Sequence, residues 1–209
     1  MSNIAESIYS KVKEYSGLQE ISFCDVHQCG EEKSCINHQA HPGLNFDIVK
    51  EKYCLNNNQS SLSSVDLLTY NSTGILFLVE AKGWNLYLKF SRPKSISQVK
   101  QKVSSYNFPK KLFDSLTIIK DIAIDPNGNI EVPIVYIVVS DFQHFDAISE
   151  FSNMLEYLAN TSSMLGVEYG NAISASLSHI EDINCDYVPD CRNVDEVIKE
   201  WKSARTVIL

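Results

Sequence analysis

The chain has 209 residues, 44% of them hydrophobic, and no apolar run long enough to cross a bilayer. A chain of this size buries about 70% of its unfolded surface, so we expect one domain over residues 1–209. The formal net charge of -8 excludes a protein coated in nucleic-acid contacts, which need lysine and arginine. The first residues lack a basic and apolar leader, so we expect a cytoplasmic, reducing location in which the six cysteines are free or metal-bound.

Apolar residues at helical spacing predict an amphipathic helix over residues 4–15, with Gly17 as its stop. A Cys/His-rich insertion follows at about 22–43 and holds six soft or borderline metal ligands. Tetrahedral zinc needs four such groups. The spacings match no standard zinc finger, so a polar loop with free thiols stays an open alternative, and a thiol protease is a remote one. The candidate zinc ligands are Cys24, Cys29, Cys35 and His38.

Three strands are predicted next, beginning with residues 44–55 and a polar loop at 56–61. The second and third strands form a hairpin if residues 72–74 are a three-residue loop with Gly74 in the left-handed conformation. In that register Asp66 lies directly across from Glu80, with Lys82 on the same face. A loop one residue longer would break this pairing, so the predicted site depends on the turn.

The three charged residues at the ends of these strands point to metal chemistry. Two carboxylates whose Cβ atoms are about 5 Å apart repel each other, and a hard divalent cation such as Mg²⁺ relieves the repulsion. The backbone carbonyl of Ala81 is a further candidate ligand, and Lys82 is placed to hold or activate a water. The alternative is a surface hairpin whose Asp66, Glu80 and Lys82 form a solvated salt bridge.

These residues resemble the signature of the PD-(D/E)XK nuclease superfamily, an acidic residue followed on the next strand by (D/E)-x-K. The resemblance covers about residues 44–140, although Val65 stands where the superfamily often has proline. It implies an α/β fold with a central mixed sheet flanked by helices, the restriction-endonuclease-like αβββαβ core. It also implies that Asp66 and Glu80 bind Mg²⁺ or Mn²⁺ while Lys82 assists catalysis. By the same resemblance Glu14 is a weak metal-ligand candidate, and an iron–sulfur cluster using Cys185 or Cys191 is a distant alternative to zinc.

A basic segment follows the motif, because residues 82–112 contain eight lysines and arginines and no acidic residue. An acidic body with one basic face orients a polyanion toward the carboxylates, although a solvated helix and loop explains such a run as well. We expect nucleic acid as the partner, DNA before RNA. The candidate binding residues are Trp84 (by base stacking, with core burial as the alternative), Lys89, Arg92, Lys94, Gln98, Lys100, Gln101 and Lys102.

The remaining pattern predicts a helix over about 96–106, a buried strand over 132–139, and helices at about 145–160 and 194–205, within a C-terminal region at about 145–209. We expect the strand at 132–139 to run parallel to the one that carries Glu80. Gln101 and Tyr106 are one residue too far apart for the Gln-x-x-x-Tyr motif of some nuclease subfamilies.

Three functions therefore compete at this point. The first is a metal-dependent nuclease that hydrolyses phosphodiester bonds. The second is a non-catalytic binding or assembly module that keeps the nuclease fold, and the third is an interaction module organised by zinc, which is also compatible with the first. A chain with one site suggests a homodimer or a protein partner, and nothing in its composition suggests a membrane.

Overall fold

The computed structural model describes residues 3–26, 41–60, 62–84, 87, 91, 93, 95–126, 128–141 and 161–209. Within these residues the helices are α1 (Ile4–Ser16), α2 (Phe23–Val26), α3 (Phe46–Asn56), α4 (Ile96–Ser105), α5 (Phe108–Ala123), α6 (Thr161–Leu177) and α7 (Val194–Glu200), with a short 3₁₀ helix at Cys191–Asn193. The strands are β1 (Ile21–Ser22), β2 (Pro42–Asn45), β3 (Leu67–Tyr70), β4 (Leu76–Lys82), β5 (Glu131–Ser140), β6 (Asn184–Val188) and β7 (Thr206–Ile208).

The described strands form one seven-stranded mixed sheet in the order β1-β2-β3-β4-β5-β6, with β7 beside β5. Neighbours from β1 to β4 are antiparallel, whereas β4, β5 and β6 are parallel and β7 runs antiparallel to β5. The predicted α/β class, the mixed sheet and the parallel pairing of β5 with β4 are confirmed. No helix in the described part of the chain has the length and apolar character needed to span a membrane.

The sheet has a hydrophobic cluster on each face, and the alternation along β4 assigns its residues to them. Leu76 and Leu78 belong to the larger cluster, which α1, α4, α5 and α6 cover. Phe77 and Val79 belong to the smaller one, which α7 covers. Glu80 continues the alternation of Leu76 and Leu78, so its side chain enters the layer between the sheet and the helices of the larger cluster.

The strand predicted over residues 44–55 is wrong, because β2 ends at Asn45 and residues 46–56 form helix α3. The Asn45 side chain caps this helix by accepting a hydrogen bond from the Ile48 amide at 3.3 Å. Phe46, Val49 and Tyr53 are buried at helical spacing, whereas Ile48 is 45% exposed. Residues 44–55 therefore follow a 3.6-residue period rather than the two-residue period of a strand.

Most of the other predicted elements that lie in the described residues agree with the structure. Helices α1 and α4 and strand β5 confirm the predictions for 4–15, 96–106 and 132–139. The helix predicted over 194–205 ends at Glu200, and the C-terminal region also contributes two strands, β6 and β7. The helix predicted over 145–160 lies outside the described residues. Helix α5 has no counterpart among the predictions.

Candidate active site at the β3–β4 strand ends

A tight turn between β3 and β4 sets the register of the site. The Asn71 amide donates to the Ile75 carbonyl at 3.1 Å, and Gly74 has a φ of 89°. The Asn71 side-chain oxygen accepts hydrogen bonds from the amides of Thr73 and Ile75, each at 3.1 Å, which fixes this conformation. The predicted three-residue loop is confirmed, and the register runs back to Leu67 opposite Val79.

Asp66 lies one residue before β3, beside the end of β4. Its amide donates to the Val79 carbonyl at 3.0 Å, and its carboxylate Oδ2 accepts a hydrogen bond from the Ala81 amide at 2.6 Å. Its backbone carbonyl in turn accepts from the Phe46 amide at 2.9 Å. The side chain is therefore held against the Glu80-Ala81 peptide, although the strand pairing ends at Leu67 opposite Val79 and does not include the predicted pair of Asp66 and Glu80.

Glu80 is the most enclosed member of the site, with a relative exposure of 0%. Its Oε1 atom forms ion pairs with the ammonium groups of Lys82 and Lys111, the latter at 2.6 Å. Its Oε2 atom is buried and has no hydrogen-bond partner among the described residues. The Lys82 ammonium also donates to the Ala81 carbonyl at 3.0 Å, so one carboxylate joins both lysines to the end of β4.

Burial dominates the electrostatics of the site. It raises the pKa of Glu80 to about 7, with help from the Asp66 charge and against the opposing effect of Lys82 and Lys111. Burial likewise raises the pKa of Asp66, although both lysines and the Ala81 amide oppose it. Burial by itself lowers the pKa of the Lys111 ammonium. The Glu80 and Asp66 charges outweigh burial, so the pKa of Lys111 is raised.

The sequence analysis did not identify two residues near this centre as site residues. Lys111 lies in the first turn of α5, and no motif links it to Glu80. Asp47 lies in the first turn of α3, where its Oδ1 accepts from Ser64 Oγ at 2.5 Å and from Lys50 Nζ at 3.0 Å. Burial opposes ionisation of Asp47, but these bonds and the Lys50 and Lys111 charges hold its pKa below the usual range. An apolar repeat at Phe108, Leu112, Leu116 and Ile119 was the available signal for α5 and hence for Lys111.

Aromatic residues pack along one side of the site. The Lys82 ammonium lies 5.1 Å from the centroid of the Tyr106 ring, and the Lys102 ammonium lies 5.2 Å from it. Trp84 is 3% exposed, and its ring centroid is 4.6 Å from that of Tyr169. In this conformation Trp84 is a core residue, which agrees with core burial, the alternative to base stacking.

Four of the five described lysines of the basic segment pair with acidic residues that lie outside it, and the fifth, Lys102, contacts the Tyr106 ring. Lys100 pairs with Glu168 at 3.7 Å, and Lys110 pairs with Asp114 at 2.5 Å. Gln98 and Gln101 are exposed on α4. The candidates Lys89, Arg92 and Lys94 lie outside the described residues. The acid-free stretch of sequence is therefore partly neutralised in the fold.

The candidate zinc ligands Cys29, Cys35 and His38 lie outside the described residues. Cys24 is half-buried, and the neighbouring His41 is buried, with Nδ1 2.7 Å from the Asp195 carboxylate. Glu14 is exposed on α1. In the described part of the chain, no three histidine, cysteine, aspartate or glutamate side chains are grouped to hold a metal.

The donors at the strand ends nevertheless suit a hard cation. Asp66, Glu80 and the Ala81 carbonyl supply oxygen atoms only, which Mg²⁺ and Mn²⁺ prefer, and Mg²⁺ keeps several waters beside one or two carboxylates. A buried carboxylate oxygen without a partner is costly, and a cation at Glu80 Oε2 would satisfy it. Comparisons of the chain with family models, curated proteins and solved structures gave no match.

Proposed function

We propose that this chain is a metal-dependent nuclease of the PD-(D/E)XK type that hydrolyses phosphodiester bonds, with DNA as the preferred substrate. The observation that carries the proposal is the meeting of Asp66, Glu80 and Lys82 at the ends of adjacent strands, with Glu80 Oε2 buried and unpartnered among the described residues. A solvated surface salt bridge would not bury Glu80 completely.

The arrangement of elements is compatible with that proposal. Helix α1 precedes the antiparallel strands β2, β3 and β4, and helices α4 and α5 lead to β5, which is parallel to β4. We interpret this series as the αβββαβ core of the superfamily, with β1, α2 and α3 as additions. A cytoplasmic location and a homodimer or protein partner that presents a second site belong to the same proposal.

The chain's own residues have distinct roles in the proposed reaction. Asp66, Glu80 and the Ala81 carbonyl would hold Mg²⁺ or Mn²⁺, which acts as a Lewis acid and lowers the pKa of a bound water. Lys82 orients the attacking water and donates to the phosphate oxygens as negative charge develops on them. The water oxygen forms a bond to phosphorus while the P–O bond to the leaving nucleotide breaks. The attacking water gives up a proton to solvent, and the leaving oxygen takes up a proton from solvent.

The proposal is tested by cleavage of fluorescent DNA and RNA oligonucleotides with Mg²⁺ or Mn²⁺. We expect wild-type protein to cut, EDTA to abolish cutting, and Lys82→Ala to reduce the rate at least about 100-fold because water positioning and charge stabilisation are lost. Lys13→Ala is the matched control, since Lys13 also pairs with a glutamate, Glu20, but both of these side chains are more than a third exposed. Equal rates for wild type and Lys82→Ala would remove the mechanism.

A binding or assembly module without cleavage is the second candidate. The double pairing of Glu80 with Lys82 and Lys111 favours it, because the two ammonium groups already neutralise the two carboxylates. Calorimetric titration with Mg²⁺ and Mn²⁺, with and without a hydrolysis-resistant DNA oligonucleotide, separates the two functions. Binding that depends on Asp66 and Glu80 supports the nuclease, and its absence under both conditions supports the module. Stoichiometric zinc in the purified protein would add a structural zinc site to either function.

A further inference from the structure

Lys111 is a site residue that the nuclease signature does not include. It lies in the first turn of α5, its Nζ is 2.6 Å from Glu80 Oε1, and its side chain is 23% exposed. The described residues offer its ammonium no second hydrogen-bond acceptor. Lys82, by contrast, also donates to the Ala81 carbonyl and packs on the Tyr106 ring, so its position is fixed from three sides.

The charges of the centre cancel. Asp66 and Glu80 contribute two negative charges when ionised, and Lys82 and Lys111 contribute two positive charges, so the sum is zero. A divalent cation bound at Glu80 Oε2 would leave a net charge of two in a largely buried site, with two ammonium groups on the neighbouring oxygen. Positive charges that share one carboxylate repel each other strongly where water is excluded. The cation therefore binds weakly to the substrate-free protein.

A phosphodiester reduces this excess charge. Its single negative charge offsets half that of the cation, and its oxygens are acceptors for the Lys111 ammonium, which reaches the surface of the site. On the basis of the proposed function, we infer that Lys111 makes the binding of the divalent cation conditional on a phosphodiester: the two ligands bind cooperatively, and Lys111 moves from Glu80 to the phosphate. The coupling is reciprocal, so each ligand raises the affinity of the other by the same factor.

The test measures Mn²⁺ affinity by calorimetry on the full chain, with and without a single-stranded DNA oligonucleotide whose phosphorothioate linkages resist hydrolysis. We expect the oligonucleotide to tighten Mn²⁺ binding to wild-type protein about 10-fold or more. Lys111→Met should bind Mn²⁺ about 10-fold more tightly than wild type without the oligonucleotide, because one opposing charge is gone, and should gain little from adding it. Lys199→Met, which removes an exposed lysine paired with Asp195 on α7, should behave as wild type.

Each outcome bears on the inference separately from the nuclease proposal. Equal or weaker Mn²⁺ binding by Lys111→Met, or no effect of the oligonucleotide on wild type, overturns the inference even if the protein cuts DNA. Tighter binding by Lys111→Met in a protein that cuts nothing supports the inference and contradicts the nuclease. If no variant binds Mn²⁺, both fail. Lys111→Gln keeps a hydrogen-bond donor for Glu80, so it gives the same comparison if the methionine variant does not fold.

Discussion

At the scale of a single residue, the buried carboxylate of Glu80 is the centre of the proposed site. It occupies a strand position whose neighbours Leu76 and Leu78 are core residues, yet it carries a carboxylate. Burying that charge is costly, and pairing with Lys82 and Lys111 on one oxygen offsets the cost in part. The other oxygen is unpartnered among the described residues, which is the state expected of a ligand-binding group rather than of a structural ion pair.

The raised pKa of Glu80 predicts how stability changes with pH in metal-free protein. Its pKa rises from an ordinary value of 4.5 to about 7 on folding, so between these values the folded chain holds a proton that the unfolded chain has lost. The stabilisation is fully present below pH 4.5 and disappears as the pH rises through about 7. Relative to Glu80→Gln, which does not titrate, wild type should lose at most about 3 kcal/mol of unfolding free energy from pH 4.5 to pH 8.

Urea unfolding of both proteins in EDTA at a series of pH values gives this difference directly. A difference between wild type and Glu80→Gln that stays constant with pH would show that Glu80 remains ionised when the protein folds. A difference that grows in favour of wild type with rising pH would reverse the sign and contradict the account of burial as the dominant effect.

At the scale of elements, the site depends on how the β3–β4 hairpin is held. Asn71 is 5% exposed and connects two elements: its Nδ2 donates to the carbonyls of Ile198 at 2.9 Å and Trp201 at 3.0 Å, at the end of α7. Its Oδ1 accepts from the turn amides of Thr73 and Ile75. The turn that sets the register of Asp66 against β4 is thereby fastened to the C-terminal part of the chain.

Asn71→Ala should therefore destabilise the protein by about 3 kcal/mol, because several buried backbone groups lose their partners at once. Ser72→Ala changes the next, exposed residue of the turn and should alter stability by no more than about 0.5 kcal/mol. Urea unfolding of the two variants measures both effects. A cost below about 1 kcal/mol for Asn71→Ala would mean that the turn holds its register without this side chain.

At the scale of the whole molecule, the sequence predicted those features that depend on residues close together in the chain. The glycine at residue 74 and the asparagine at residue 71 act within five residues, so the hairpin register could be deduced from the sequence. The pairing of Lys111 with Glu80 joins residues 31 apart in sequence, and no spacing rule reports such a contact. Helix α3 was mistaken for a strand because its apolar residues were read with a two-residue period although they recur at helical spacing.

The charge pattern also depends on contacts between residues far apart in sequence. The acid-free run over residues 82–112 looked like a basic face, but its acidic partners Glu80, Asp114 and Glu168 lie before and after it in the chain. Only the fold brings opposite charges together, so a count along the sequence overstates the free positive charge. Long-range contacts of this kind also explain why neither Asp47 nor Lys111 was identified as part of the site.

The central claim is that the carboxylates of Asp66 and Glu80 hold a divalent cation. Anomalous diffraction from crystals of the protein soaked in Mn²⁺ tests it most directly, because it locates the ion. We predict one strong peak about 2 Å from an oxygen of Asp66 and from Glu80 Oε2, absent from crystals of Asp66→Asn. A peak elsewhere in the molecule, or no peak at saturating Mn²⁺, would contradict the claim.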